Sequence, residues 1–140
     1  MTTTILDPAL AGTEPKAPTR LRVSGLRVGF RKDGELRRVV HDLSFELSPG
    51  ECVAIVGESG SGKSVSARTL VGLTGANAEV EAAELSLDGE DLLSFSSRDW
   101  RRVRGAQVGF VLQDALVSLD PLRPVGKEIA EALRLHGWGD

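Results

Sequence analysis

The 140 residues hold one cysteine, Cys52, and no tyrosine. A lone thiol cannot close an internal disulfide, which excludes a small disulfide-stapled scaffold. Long hydrophobic runs are also missing. No stretch approaches the roughly 20 apolar residues needed to cross a bilayer, so any role at a membrane runs through a partner. The opening Met1-Thr-Thr-Thr-Ile-Leu-Asp7 has neither a basic n-region nor an apolar h-region, and these absences together predict an intracellular protein. Positive charge is not in excess: a net charge of -3 and a pI near 5.4 argue against a nucleic-acid partner. What remains is an ordinary globular composition, 41% hydrophobic and 26% charged, at the size of one domain or part of one.

Residues 1–20 carry Pro8, Pro15, Pro18 and Gly12 with little periodicity and read as a flexible leader. From Leu21 the pattern is β-like. Leu26, Val28 and Phe30 alternate with polar or small residues, Lys32-Asp33-Gly34 supplies a turn, and Leu43, Phe45 and Leu47 alternate again, predicting an antiparallel pair with one wet face. Ser48-Pro49-Gly50 breaks the chain before Cys52-Val-Ala-Ile-Val56, an unbroken apolar run that predicts a strand buried on both faces with Cys52 packed in it. Val65, Ala67, Leu70 and Val71 predict a helix stopped near Gly72 to Gly75, with Gly75 as the stop signal. Farther on, Ala83 to Leu87 reads as a strand ended by Asp88-Gly89. Ser97 reads as the cap of a helical turn through Arg104, Gln107 to Leu112 as another apolar strand, and Val125 to His136 as an amphipathic helix ending at Gly137.

Chemistry concentrates between the Cys52 run and the helix after it. Gly57-Glu58-Ser59-Gly60-Ser61-Gly62-Lys63-Ser64 matches the phosphate-binding pattern G-x-x-x-x-G-K-[ST] at every fixed position, in the strand-loop-helix setting that pattern requires. Glycines at 57, 60 and 62 let the backbone curl with its N–H groups inward, and the helix adds the positive end of its dipole. Lys63 sets a point charge against the β- and γ-phosphates, and the Ser64 hydroxyl suits the Mg²⁺ that bridges them. A plain glycine-serine turn explains neither the lysine and serine in register nor the flanking elements. Elsewhere the bland readings prevail. Arg98, Arg101, Arg102 and Arg104 form the solvated face of a short helix, His41 and His136 lack zinc-like spacing, and Trp100 and Trp138 pack locally.

Phosphate loops occur in kinases, GTPases, helicases and transport motors alike, so other residues must decide. Four places do: Leu26-Arg-Val-Gly-Phe30, the Gly57-Glu-Ser59 opening of the loop, Val103-Arg-Gly105, and Val108-Gly-Phe-Val-Leu-Gln-Asp114 continuing to Ser118-Leu-Asp-Pro121. On these residues the chain, from about Leu21 to His136, resembles the ATP-binding cassette (ABC) family, and within it the ATPase subunits of oligopeptide, dipeptide and nickel importers. It departs from that subfamily at Ala115-Leu116, where Pro-Met is usual, and at Asp120, where Asn is usual.

The resemblance implies an α/β phosphate-loop NTPase, a nucleotide-binding domain with a RecA-like core and an antiparallel β subdomain. Residues 21–140 would be its N-terminal portion, with the C-terminal half absent. It implies ATP and Mg²⁺ as cofactors, with Lys63 and Gln113 as catalytic residues and Ser64 and Gln113 toward the metal. Gln113 would be the Q-loop glutamine, whose amide changes partners as the γ-phosphate leaves, and Phe30 the ring that stacks on adenine. A core role for Phe30 on a half-buried strand is the rival reading. Leu119, Pro121 and Leu122 are candidates for contact with a membrane subunit, ordinary packing being the alternative. The implied partners are transmembrane permease subunits, a second ATPase subunit in a homo- or heterodimer and, indirectly, a solute-binding protein. The implied place is the cytoplasmic face of the cell membrane. No Leu-Ser-Gly-Gly-Gln-like segment and no apolar strand ending in Asp-Glu follows Gln113, so the chain alone is expected to hydrolyse ATP very weakly and to be poorly soluble. The alternatives are a phosphate-loop kinase or GTPase, which would need an Asn-Lys-x-Asp-like pocket not found here, and a non-catalytic nucleotide-binding module.

Overall fold

A computed structural model describes residues 19–112 and 120–138. They fall into two compact units, divided between Phe95 and Ser96.

The first unit is built on a long hairpin, β1 (Leu21–Lys32) and β2 (Glu35–Leu47). Lys32 pairs with Glu35 across the two-residue turn Asp33-Gly34, whose φ values of 53° and 85° are the left-handed pair that a tight hairpin needs. The predicted alternation is interrupted. Register shifts occur between Val23 and Leu26, between Leu26 and Val28, and between Val28 and Gly29, so both Val23 and Leu26 reach the core. On its other edge β1 takes two short antiparallel strands end to end. β4 (Glu84–Leu87) pairs with Leu21 to Ser24, and β3 (Ala78–Glu81) pairs with Arg27 to Phe30. β5 (Glu90–Asp91) completes the order β2-β1-β4-β5, and the Asp88-Gly89 turn repeats the left-handed pair with φ of 49° and 84°. Val23, Leu26, Val28, Val40, Leu43 and Leu85 are buried in this sheet's core, and Leu92 of the following 3₁₀ turn is buried as well.

The Cys52 to Val56 run does not form the expected buried strand. A lone bridge residue, Ile55, is its only regular pairing among the described residues; Cys52 is exposed and Val56 is 43% exposed. An apolar run becomes a buried strand only when neighbours cover both faces and edges, and the described residues supply no such neighbours. The segment leads instead from the Ser48-Pro49-Gly50 turn, where the Ser48 N–H donates to the Glu51 carboxylate at 2.6 Å, to the glycine loop and α1 (Lys63–Leu70). Helix α1 ends one turn earlier than Gly75. Gly72, at φ 65°, takes the left-handed position while the Leu73 N–H reaches the Arg68 carbonyl oxygen at 2.8 Å. Its buried face is Ser66 and Thr69, whose hydroxyls donate to the carbonyl oxygens of Gly62 and Val65, whereas Val65, Ala67 and Leu70 are half-buried.

In the second unit α2 (Ser97–Val103) is capped by Ser96 rather than Ser97. The Ser96 hydroxyl accepts from the Asp99 N–H, and the Ser96 N–H donates to the Asp99 carboxylate at 3.0 Å, a reciprocal box that places the helix start one residue early. The expected strand over Gln107 to Leu112 is absent. A turn through Gly105 leads to a single bridge between Arg104 and Val108, and Val111 is 93% exposed. α3 (Val125–Leu135) follows its predicted span and closes on Gly137. Its Val125, Ile129 and Leu133 stripe remains about half exposed. Among the described residues no helix is long and apolar enough to cross a membrane.

Candidate functional site

The glycine loop closes on itself and then opens into α1. The Ser61 N–H donates to the Glu58 carbonyl oxygen at 3.2 Å, and Gly60 and Gly62 adopt φ of 80° and 93°, conformations costly for any residue with a Cβ. Gly62 is the N-cap of α1 and has no side chain to satisfy the helix start. The first intrahelical acceptor is used by Ser66, whose N–H donates to the Gly62 carbonyl oxygen at 2.8 Å. The amides of Gly62, Lys63, Ser64 and Val65 therefore meet no acceptor among the described residues. Such a row at a helix N-terminus attracts an anion through both its hydrogen-bond donors and the helix dipole.

Two side chains complete the loop. The Lys63 ammonium donates to the carbonyl oxygens of Gly57 at 2.8 Å and Glu58 at 2.6 Å, which folds the positive charge back over the loop mouth. The Ser61 hydroxyl is buried without a partner under Gly57, where an added Cβ would lie 2.6 Å from it. Ser64 is exposed and has no competing side-chain hydrogen bond among the described residues. Glu58 and Ser59 lie on the loop's exposed outer turn.

Beside the loop is a cleft of about 590 Å³, within the size range of small-molecule sites. One wall is Gly60, Ser61, Lys63 and Ser66; the other is the β2 segment from Arg37 to Leu43. Among the described residues no strand pairs with that β2 edge, since β2 is the terminal strand of the sheet, and Gly62 allows the close approach of the two walls. A Cβ on Gly62 would sit 2.8 Å from the Val39 carbonyl oxygen. Sequence reasoning passed over this β2 wall. The available signal was Val39-Val40, two consecutive apolar residues that break strand alternation.

Phe30 lies on β1 between Arg37 of β2 and Ala78 of β3, half-buried, and is not among the residues lining the cleft. Gln113, Ser118 and Leu119 lie outside the described residues; Pro121 and Leu122 are exposed, Leu122 at 91%. Among the described residues no group of three or more His, Cys, Asp or Glu side chains is placed to hold a metal ion. Among the described residues of this loop, the exposed Ser64 hydroxyl is chemically suited to a divalent cation.

Comparison with known proteins fits this geometry. A family model described as ABC transporter matches residues 40–133. The chain is 42% identical over 119 residues to a dipeptide transport ATP-binding protein of Lactococcus lactis, covering 85% of this chain and 34% of that protein. Over 116 residues it is 43% identical to an oligopeptide transport ATP-binding protein of Mycobacterium tuberculosis, covering 83% of this chain and 19% of the relative. A putative peptide import ATP-binding protein of Brucella abortus is 40% identical over 121 residues, 86% of this chain and 36% of its own length. The chain thus spans about a third or less of the length of these relatives.

Proposed function

We propose, since the chain belongs to the ABC transporter family, that its glycine loop holds the phosphates of ATP in the ATP-binding subunit of an importer for peptides or related small solutes. The observation that carries this reading is the row of unsatisfied amides from Gly62 to Val65 beside the Lys63 ammonium. The printed names of the relatives, which transport or import peptides, support the solute class. Family membership sets aside the kinase and GTPase readings.

In this reading the backbone from Gly57 to Ser64 wraps the β-phosphate, and Lys63 exchanges its loop carbonyls for phosphate oxygens. Mg²⁺, when bound, neutralises charge between the phosphates. Ser64 and Gln113 are the residues that would hold it, and Gln113 would also orient the attacking water. Phe30 would stack on the adenine. The core formed with the rest of the protein would be RecA-like. The partners would be permease subunits, a second ATPase subunit and, through them, a solute-binding protein, with the subunit at the cytoplasmic face of the membrane.

The test is ATP-driven uptake of a labelled peptide by vesicles carrying the assembled transporter. Lys63→Ala is expected to abolish uptake while leaving the subunit bound to the vesicles. Uptake at the wild-type rate would overturn the proposal.

A further inference from the structure

Arg37 differs from the other arginines of the β1–β2 pair. The Arg22 guanidinium lies between Glu46 at 3.2 Å and Glu84 at 3.6 Å, and Arg27 donates to the His41 carbonyl oxygen. Arg31 pairs with Glu79, and Arg38 with Glu81 at 3.2 Å. The Arg37 guanidinium has no partner among the described residues, yet Arg37 lines the cleft beside the phosphate loop. An unpaired planar cation on the wall of a ligand cleft is placed to bond to a ligand or stack on one.

Its position along β2 indicates which part of a nucleotide it meets. The Val39 carbonyl oxygen lies against Gly62, at the start of the anion site. Arg37 is two residues farther along the strand, up to about 7 Å away at roughly 3.4 Å per residue across the irregularity at Val39. A nucleoside attached to phosphates seated on the Gly62 to Val65 amides extends over such a distance. In the ladder Arg37 is also directly opposite Phe30, so the two side chains share one face of the sheet.

We infer that Arg37 is a further nucleotide-binding residue that contacts the nucleoside rather than the phosphates. The inference rests on the proposed nucleotide site. Arg37 is exposed and pairs only through its backbone, so its replacement leaves the fold intact.

Binding of Mg²⁺–ATP and of Mg²⁺–tripolyphosphate, which lacks the nucleoside, is measured by titration calorimetry on the chain and on Arg37→Ala, Arg37→Lys and Lys63→Ala. Arg37→Ala is expected to weaken ATP binding about three- to tenfold, with tripolyphosphate within about twofold of wild type. Arg37→Lys, which keeps the charge but not the plane, is expected to fall between. Unchanged ATP affinity in Arg37→Ala overturns the inference, and so does an equal loss for both ligands, which would mark Arg37 as a general contributor of charge. Lys63→Ala separates the two levels. Loss of both ligands there with no effect at Arg37 rejects the Arg37 contact and leaves the nucleotide site standing; full binding there rejects the site itself.

Discussion

Replacing Gly62 by alanine places a methyl group where the glycine loop meets β2. Two costs add. At φ 93° the backbone is in the left-handed region, which costs an L-residue about 1–2 kcal/mol. The new Cβ would also lie 2.8 Å from the Val39 carbonyl oxygen and 3.1 Å from Val40 Cγ2. The first of these is backbone in a paired strand, so relief requires β2 to move, at roughly 1–3 kcal/mol. The sum is about 2–5 kcal/mol, a large share of the 5–15 kcal/mol typical of a domain. Gly60 is the internal control. It has φ 80° but nothing within 4 Å of an added Cβ, so Gly60→Ala carries only the backbone cost of about 1–2 kcal/mol. Urea unfolding followed by circular dichroism compares the two variants, whose difference isolates the overlap with β2. Equal stability of Gly62→Ala and Gly60→Ala would refute the close approach of loop and strand.

Three further outcomes are expected. Leu26→Ala, at a side chain that is 0% exposed, should lower unfolding stability by about 2–5 kcal/mol in the same assay, and a loss under 1 kcal/mol would contradict its place in the core. The Arg20 guanidinium, donating to the Asp88 carboxylate at 2.9 and 3.1 Å, holds Asp88 below its ordinary value of 3.8. The folded-state value is depressed, so this contribution to stability is fully present above that ordinary value and fades as pH falls through the lower folded one. Asp88→Asn, which keeps a residue tolerant of the left-handed turn, should match the wild type once both are at strongly acidic pH and be less stable at neutral pH; a gap unchanged across an acid titration would contradict this. Ser96→Ala should speed hydrogen exchange at the Asp99 amide by removing its cap, and unaltered exchange would place the start of α2 elsewhere.

The legible parts of the fold were those determined by local chemistry. Asp33-Gly34 and Asp88-Gly89 specified two hairpin turns because few other residues tolerate consecutive left-handed conformations. The left-handed Gly60 and Gly62 of the glycine loop were legible for the same reason. The misread segments, Cys52 to Val56 and Gln107 to Leu112, are apolar runs whose conformation depends on neighbours rather than on their own pattern, and the described residues do not supply those neighbours. Strand β3 was missed because Ala78-Glu-Val-Glu81 is short and acidic; it is held by β1, with Arg31 and Arg38 meeting its Glu79 and Glu81. The β2 wall of the cleft escaped notice because bulges decide which of its residues face the loop, and the Val39-Val40 break in alternation is a faint trace of them in the sequence.

The most direct test of the proposed phosphate site is the backbone amide NMR signals of the loop during titration with Mg²⁺–ATP. The Gly62, Lys63, Ser64 and Val65 amides are expected to shift most, with the changes lost in Lys63→Ala. Saturating ATP that leaves these four signals in place, or moves them equally in Lys63→Ala, would contradict a phosphate site at the start of α1.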